Sequence, residues 1–373
     1  MKNIVVREKF CNFAVRMLKL LLPIAWIYSA MLFIRHKMYD WGVLKSKKFD
    51  FPVICVGNIA LGGTGKTPHT EYIVSLLREK YKVAVLSRGY RRKSEGFVIA
   101  DKDCSYEDVG DEPLQYCKYD GVVVAVDEKR CNGVKRLLAL DEKPELVILD
   151  DAFQHRQVKA GLNIVLTEYS RLFTSDSLVP SGTLRDIKSA VKRSDIIVVT
   201  KGPSVLSPYD RRDVMEKLQP YIANNQLVCF SYIVFKDAVP FNEKAEQTDI
   251  KKQNDVVLFT GVANSHPLEE FLSRSFSRIV VFKFADHHAF TSEDIDRIVG
   301  HFESIIGKRK VIITTEKDAM RLKNTELLSA FDNTPLYYIP IKVRFNNDDG
   351  EKFEKKVLNY VRENITDDGV HQE

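Results

Sequence analysis

A strand, a glycine-rich loop and a helix follow one another at residues 53–80, and this order constrains the fold more than any other feature. The loop residues are Gly62, Gly63, Thr64, Gly65, Lys66 and Thr67. Glycines let backbone N–H groups curl around phosphate oxygens, and the helix N-terminus adds partial positive charge. The loop is therefore predicted to bind a nucleoside triphosphate, with Lys66 at the β- and γ-phosphates and the Thr67 hydroxyl on Mg²⁺.

The loop departs from the general phosphate-loop pattern at one position. That pattern has glycine five residues before Gly65, where this chain has Ala60. A chance glycine-rich turn is the alternative interpretation, but a second acidic element counts against it. The apolar run 146–149 ends in Asp150 and Asp151, as expected for a strand whose terminal carboxylates position a metal ion. A helix cap is the alternative for this acidic pair.

The rest of the chain alternates short β-branched runs with helical stretches, which predicts an α/β fold with a mainly parallel sheet. A second α/β set follows a polar stretch at 242–254. The predicted parts are a basic, apolar membrane-associated helix (1–45), a phosphate-loop domain (46–235), a smaller α/β domain with linker strands (236–345) and a C-terminal helix and tail (346–373). Segments 227–235 and 336–343 could pair as a two-stranded hinge.

The N-terminal segment combines cations with an uncharged apolar run at residues 20–34. Lys2, Arg7, Lys9, Arg16 and Lys19 precede the run, and Arg35 and Lys37 follow it. Fifteen helical residues reach only about 22 Å, which is short of the roughly 30 Å hydrocarbon core. A helix that engages anionic headgroups is favoured, and a helix buried against the main domain is the alternative.

Composition excludes several classes of function. The net charge of +5 over 373 residues is modest and predicts no nucleic-acid partner. The six cysteines are scattered without a C-x-x-C pair, which argues against a zinc site or a disulfide framework. Nothing in the composition implies a protein partner.

Further polar segments lie near presumed strand ends, where ligands bind in open α/β sheets. The SRGY segment with the cations after it, from Arg88 through Tyr90 to Lys93, suits an anionic substrate, although it could be a solvated basic loop. GDEP at 110–113 and GTLRD at 182–186 are weak signals alone. His287 and His288 follow Asp286 and favour acid–base work over a zinc site, with surface histidines as the alternative. TTEKD at 314–318 fits function or helix capping equally.

Taken together, these motifs resemble the tetraacyldisaccharide 4'-kinase family, the lipid A 4'-kinases of Gram-negative bacteria. The motifs GGTGKT, SRGY, GDEP, DDAFQH, GTLRD, DHHAFT and TTEKDA occur in the family's order along nearly the whole chain. The resemblance implies ATP-dependent phosphorylation of the 4'-hydroxyl of a tetraacyl glucosamine disaccharide 1-phosphate, which produces lipid IVA and ADP at the cytoplasmic face of the inner membrane. It also implies two α/β/α domains joined by a two-stranded linker. The implied reaction has a lipid disaccharide and a membrane surface as partners.

The resemblance also implies roles for individual residues. Lys66 and Thr67 match the phosphate and Mg²⁺ ligands, and Asp150 and Asp151 match the acidic pair near the metal. Asp111 matches the residue proposed to activate the sugar hydroxyl, assisted by His287, with His288 as the fallback. Cationic residues that would meet phosphates of substrate or nucleotide are Arg88, Arg130 and Arg185. The chain departs from the family at Asp186, where glutamate is more usual, and at Arg91, where glycine is usual.

Two rival functions remain at the level of sequence. A membrane-associated phosphate-loop ATPase would use hydrolysis as a conformational switch, but it needs no base for a sugar hydroxyl. A soluble kinase for a small metabolite needs neither the apolar N-terminus nor the basic SRGY loop. For the kinase interpretation, we expect that domain closure assembles the site and excludes water from ATP.

Overall fold

The computed structural model describes residues 21–365. The cations from Lys2 to Lys19, Cys11 and the last eight residues of the predicted tail lie outside this range. Between residues 21 and 365 the strands are β1 (Val53–Asn58), β2 (Val83–Ser87), β3 (Val98–Ala100), β4 (Val123–Val126), β5 (Leu146–Asp150), β6 (Leu162–Glu168), β7 (Ile196–Thr200), β8 (Leu227–Phe235), β9 (Val239–Pro240), β10 (Asp255–Thr260), β11 (Arg278–Lys283), β12 (Lys310–Thr315), β13 (Leu336–Ile339) and β14 (Ile341–Phe345).

The α-helices of the same range are α1 (Leu22–Asp40), α2 (Lys66–Leu77), α3 (Tyr106–Val109), α4 (Asp111–Tyr116), α5 (Arg130–Leu137), α6 (Pro208–Leu218), α7 (Glu243–Glu246), α8 (His266–Ser273), α9 (Ser292–Ser304), α10 (Glu316–Leu322) and α11 (Asp349–Asn364). Short 3₁₀ turns lie at Phe173–Ser175, Lys188–Arg193, Gln219–Tyr221, Ile250–Lys252 and Glu326–Phe331. The predicted mixture of parallel sheet and helices is confirmed.

The chain divides into two compact units. The first comprises the described parts of Met1–Thr70, Glu145–Tyr232 and Arg344–Glu373, and the second comprises Glu71–Pro144 and Ile233–Val343. The sequence pattern predicted a single domain over 46–235. In the structure, Glu71–Pro144 belongs to the second unit. Local periodicity cannot reveal that grouping, because it depends on which segments pack together.

In the first unit, five parallel strands lie side by side in the order β8, β7, β6, β1, β5. All residues of β1, β5 and β7 are buried. Uniformly apolar strands are expected where a parallel sheet is covered on both faces. The parallel arrangement brings the carboxyl ends of β1 and β5, and therefore the loops that follow them, to the same edge of the sheet.

The second unit contains strands β2, β4 and β3 side by side, and a separate five-stranded sheet in the order β11, β10, β12, β13, β9. Residues of β10 and β12 alternate between two apolar clusters: Val257 and Ile312 belong to one, and Val256 and Val311 to the other. Each face of this sheet therefore has its own core, and helices α9 and α8 supply apolar residues to the two cores.

The two segments predicted to pair as a hinge, 227–235 and 336–343, contribute to strands β8, β13 and β14. Strand β14 is the neighbour of β8. The predicted second segment is divided at Pro340, however, so that β13 pairs with β12 instead. Proline lacks a backbone donor and interrupts a ladder.

Helix α1 begins with a proline in its first turn and buries Ala25, Leu32 and His36. Its other side exposes large apolar residues, among them Trp26 at 69% and Ile27 at 64%. Within the described range, no helix has both the length and the apolar character needed to cross a membrane. The apolar membrane helix of the predicted fold is therefore corrected to a helix that packs on the first unit through one face.

A lysine shared by two buried carboxylates connects helices of the second unit. Lys118 Nζ lies 2.7 Å from Glu71 Oε1, on α2, and 2.6 Å from Glu316 Oε1, at the start of α10. Burial, together with the charge of Glu316, raises the pKa of Glu71 to about 7 although Lys118 opposes the shift. The Glu71 carboxyl group therefore stays protonated to a higher pH in the folded protein than in the unfolded chain.

We expect Glu71→Gln to increase the melting temperature relative to wild type by a few degrees at pH 8 and by less at pH 5. Between these pH values the folded state binds more protons than the unfolded state, so the contribution of Glu71 to stability falls as pH rises. Thermal denaturation at both pH values measures the difference. Glu79→Gln, at an exposed position, is the matched control, and an equal effect at both pH values would contradict the raised pKa.

Candidate active site

The phosphate loop is fixed at Thr64 by two buried polar contacts. At the end of β1, Asn58 Nδ2 donates to Thr64 Oγ1 at 2.7 Å. Thr200 Oγ1, at the end of β7, donates to the Thr64 carbonyl at 2.8 Å. Gly62 and Gly65 have φ values of 99° and 87°, which residues other than glycine rarely adopt. Gly62 and Gly63 are exposed, so their backbone N–H groups can face a ligand while Thr64 stays in place.

Ala60 has a structural explanation. It forms an antiparallel bridge with Leu184, and Leu61 N donates to the Thr183 carbonyl at 2.7 Å. Arg185 N donates to the Ile59 carbonyl at 2.8 Å. The first half of the loop thus behaves as a short strand beside the GTLRD segment, a setting that does not require the conformational freedom of glycine.

The carboxylate of Asp151 lies among cations. Arg185 binds both of its oxygens, with Nη1 3.1 Å from Oδ2, and Lys66 Nζ lies 3.7 Å from Oδ2. Arg185 Nη2 also donates to Asn58 Oδ1 at 2.6 Å. The Arg185–Asp151 pair was not predicted from the sequence. It joins the GTLRD segment to the acidic loop after β5, beside Lys66 of the phosphate loop.

The oxygen donors around Lys66 suit a magnesium ion. Asp150 is buried at the end of β5, and Thr67 is half-buried at the start of α2. Residues 21–365 hold no cluster of three or more histidine, cysteine, aspartate or glutamate side chains that could hold a metal alone. Magnesium in nucleotide sites needs only one or two carboxylates, because phosphates and water supply the remaining oxygens. The donor set of Thr67, Asp150 and Asp151 therefore fits the predicted ion.

Gly57 allows the loop after β5 to approach β1. A Cβ atom at this position would lie 2.7 Å from Phe153 Cβ, so a larger residue would push the DDAF segment away. Gln154 Nε2, in the same segment, donates to the Asn58 carbonyl at 2.8 Å. The acidic loop and the phosphate loop are consequently held together by backbone contact as well as by charge.

A second polar cluster, in the other unit, surrounds Asp111. Its Oδ2 accepts from Arg321 Nε at 3.0 Å and Nη2 at 2.6 Å, and lies 3.2 Å from His287 Nδ1. His287 Nε2 lies 2.9 Å from Lys317 Nζ. Because an ammonium can only donate, Nε2 is the acceptor and Nδ1 carries the proton that is donated to Asp111. The structure therefore brings the predicted aspartate and histidine together.

The Asp111 cluster favours the ionised carboxylate. Burial alone would raise the pKa of Asp111, but the His287 hydrogen bond and the charges of Lys317 and Arg321 hold it well below its usual range. Sequence reasoning missed Lys317 and Arg321 as partners. Arg321 lies 210 residues from Asp111, and the one available signal was that TTEKDA follows a strand of the same unit.

The two neighbouring histidines have different surroundings. His288 Nε2 binds Asp294 at 2.7 Å, where Asp294 and Thr291 form the capping box of α9, and its ring stacks on Phe284. His288 therefore belongs to a helix cap, whereas His287 faces Asp111. The TTEKD segment also caps a helix, since Thr315 Oγ1 accepts from Asp318 N at 3.1 Å.

The SRGY segment reaches the same histidine. The Tyr90 ring meets His287 edge-on at 5.3 Å, and Arg91 donates to the His287 carbonyl. Arg92 and Lys93, which were predicted to bind an anion, pair instead with Glu128 and Glu107. Their charges are thus already balanced by acidic neighbours.

The three arginines predicted to meet phosphates occupy different settings. Arg88 is exposed after β2. Arg130 is buried at the start of α5 and donates to the Asp127 carbonyl, while Arg185 binds Asp151. None of these placements tests a substrate contact, which stays a prediction for each residue.

A parallel-sheet strand, a glycine-rich loop carrying lysine and threonine, and an acidic strand end define a phosphate-loop nucleotide-binding protein. Comparison with known proteins then identifies the family. Residues 17–362 match the family described as tetraacyldisaccharide-1-P 4'-kinase. The chain belongs to this family.

Individual relatives agree along nearly the whole chain. The tetraacyldisaccharide 4'-kinase of Bacteroides thetaiotaomicron is 42% identical over 358 residues, covering 93% of this chain and 94% of that protein. The corresponding protein of Flavobacterium johnsoniae is 43% identical over 349 residues, covering 93% and 98%. The crystal structure of LpxK from Aquifex aeolicus in complex with ATP is 28% identical, with a TM-score of 0.68 over 92% of this chain and 99% of that one.

We expect Lys66→Met to weaken MgATP binding by at least about tenfold, because a charge-assisted contact to the phosphates is lost. Isothermal titration calorimetry measures the affinity. Lys82→Met, at an exposed lysine that pairs only loosely with Glu142, is the control and should bind ATP as the wild type does. Unchanged affinity in Lys66→Met would contradict the placement of the phosphates at this loop.

Proposed function

We propose that this protein transfers the γ-phosphoryl group of ATP to the 4'-hydroxyl of a tetraacyl glucosamine disaccharide 1-phosphate, producing lipid IVA and ADP. Relatives named tetraacyldisaccharide 4'-kinase match over more than nine-tenths of the chain. One observation in this chain carries the proposal. In addition to its phosphate loop, it holds Asp111 and His287 together, with Oδ2 of the aspartate 3.2 Å from Nδ1 of the histidine. A kinase needs such a pair to orient its acceptor hydroxyl, and an ATPase switch does not.

The nucleotide end of the reaction depends on charge and position. Lys66 would bind the β- and γ-phosphates, and the Gly62–Gly65 backbone would donate to their oxygens. Thr67, Asp150 and Asp151 would hold Mg²⁺, which supplies neutralising positive charge to the phosphates when bound. Arg185 keeps Asp151 oriented beside Lys66, so that these charges are in place before the nucleotide arrives.

The acceptor end depends on Asp111. An anionic carboxylate can accept a hydrogen bond from the sugar hydroxyl and thereby orient its oxygen for attack on phosphorus. Its low pKa makes it a weak base, so the proton moves late, as the new P–O bond forms. A loose phosphoryl-transfer transition state tolerates this order because little negative charge must first develop on the nucleophile. His287 stabilises the carboxylate by donating from Nδ1.

The acceptor is a lipid, and helix α1 would bring the protein to the surface that contains it. Trp26, Ile27, Met31 and Ile34 on this helix are each more than half exposed. Exposed apolar surface of this kind marks an interaction site, and aromatic and aliphatic residues on one helix face insert into the interfacial region of a bilayer. We place the protein at the cytoplasmic face of the inner membrane.

Transfer of radiolabel from ATP to the lipid A precursor in detergent micelles tests the reaction. We expect labelled lipid with the wild type, and a loss of about 10²-fold or more with Asp111→Asn, since the amide cannot accept the proton. ATP affinity should stay near wild type, because Lys66 and Asp151 are unchanged.

Asp120→Asn, at an exposed aspartate that pairs with Lys102, is the matched control and should keep full transfer. Release of free phosphate without labelled lipid would favour the ATPase switch. Normal turnover by Asp111→Asn would remove Asp111 from its proposed role.

Flotation with anionic phospholipid vesicles tests the membrane surface. The double variant Ile27→Ser, Met31→Ser should bind vesicles at least about tenfold more weakly, because each apolar side chain contributes about 1–2 kcal/mol on burial. The matched control changes Val205 and Ile306, which are 86% and 98% exposed, to serine. Equal loss in both double variants would argue against a specific role for α1.

A further inference from the structure

A buried hydrogen bond connects helix α1 to the GTLRD segment. His36 on α1 and Asp186 are 6% and 0% exposed, and Nε2 of the histidine lies 2.6 Å from Oδ1 of the aspartate. Asp186 also accepts from Ile187 N at 2.8 Å and lies 3.5 Å from Arg193. Asp186, where the family resemblance led us to expect glutamate, is therefore the partner of a residue of helix α1.

The contacts of His36 fix its tautomer. Arg156 Nη1 lies 3.2 Å from His36 Nδ1 and also donates to the His36 carbonyl at 3.0 Å. A guanidinium has no acceptor, so Nδ1 must accept and Nε2 must carry the proton donated to Asp186. The imidazole thus connects one cation and one anion and satisfies both, and an aliphatic side chain at this position could do neither.

Asp186 is adjacent in sequence to a residue of the nucleotide site. Arg185 binds Asp151 and Asn58 through its side chain and the Ile59 carbonyl through its backbone N–H. The Arg185 carbonyl accepts from Tyr28 Oη, on α1, at 3.2 Å. Helix α1 therefore contacts both neighbouring residues, the Arg185 carbonyl through Tyr28 and the Asp186 carboxylate through His36.

The helix also contacts the acidic loop. Arg35 Nη2 donates to the Gln154 carbonyl at 3.0 Å, and the Gln154 side chain binds the Asn58 carbonyl. Asn58 in turn holds Thr64 of the phosphate loop. Helix α1 thus contacts both the acidic loop and the GTLRD segment, and each of these two segments contacts the start of the phosphate loop.

We propose that His36 is a positioning residue for ATP binding, acting through Asp186 on Arg185 and hence on Asp151 at the phosphate loop. The inference rests on the proposed function, since it takes ATP as the ligand of that loop. Helix α1 would then serve two purposes: its exposed face meets the lipid surface, while its buried face sets the geometry of the nucleotide site.

The test compares His36→Leu with His36→Gln in the full-length protein. Leucine removes both polar contacts at similar volume, whereas the glutamine amide can still donate to Asp186. We expect His36→Leu to raise the Kd and KM for MgATP about tenfold, with a smaller change in kcat at saturating ATP. Glutamine should restore the affinity to within about threefold of wild type. A purely structural role would lower kcat and the amount of folded protein without this split and rescue.

Two further variants keep the outcome decisive. Tyr28→Phe removes one hydroxyl and should weaken ATP binding by roughly threefold, and its effect should be non-additive with that of His36→Leu. His266→Leu makes the same substitution at an exposed helix start and should bind ATP as the wild type does.

Wild-type ATP affinity in folded His36→Leu would overturn the inference. If that variant does not fold, wild-type affinity in Tyr28→Phe would overturn it instead. Failure of the proposed function is distinguishable, because it would appear as absence of labelled lipid with the wild type, whereas the role of His36 is measured by ATP affinity.

Discussion

The ion pair between Arg185 and Asp151 fixes the relation between two loops that leave different parts of the first unit's sheet. Parallel strands place the ends of β1 and β5 side by side, but parallel alignment alone does not orient the side chains that follow. Arg185 provides the orientation by binding Asp151 and Asn58 together. Because guanidinium geometry is planar and rigid, the pair gives a defined direction as well as charge balance.

The second unit uses buried charge in the same manner. Asp111 and Arg321 are both nearly inaccessible, and Arg321 also binds Asp318, which itself is fully buried. Removing such charges from water is costly, so a pair of this kind contributes more to a unique geometry than to stability. The geometry achieved is a carboxylate that points at His287 and stays ionised.

Local patterns carried most of what could be predicted. The strand, loop and helix around Lys66 are contiguous in the chain, so glycine spacing and apolar runs sufficed to place them, and the acidic end of β5 followed by the same reasoning. Membership of the family supplied Asp111 and His287, which no spacing rule connects. The two residues are 176 positions apart in the sequence, so the contact between them depends on tertiary packing.

Partners that are distant in sequence could not be predicted for the same reason. Arg321, Lys118 and His36 each have an ordinary local context, and their significance appears only when a carboxylate from another segment lies beside them. The apolar N-terminal run shows the same limit of prediction from sequence. Its composition indicated a surface that avoids water, but only the packed structure separates the residues that meet the protein from those that remain exposed.

The two faces of α1 have a practical consequence for anyone who prepares this protein. Trimming an apolar N-terminus is a common way to keep a protein in aqueous solution. Trimming at residue 41 would here expose Asp186, together with the backbone of the segment that carries Arg185, to solvent. Replacing only the outward apolar residues of the helix with polar ones would improve handling while leaving its inward contacts in place.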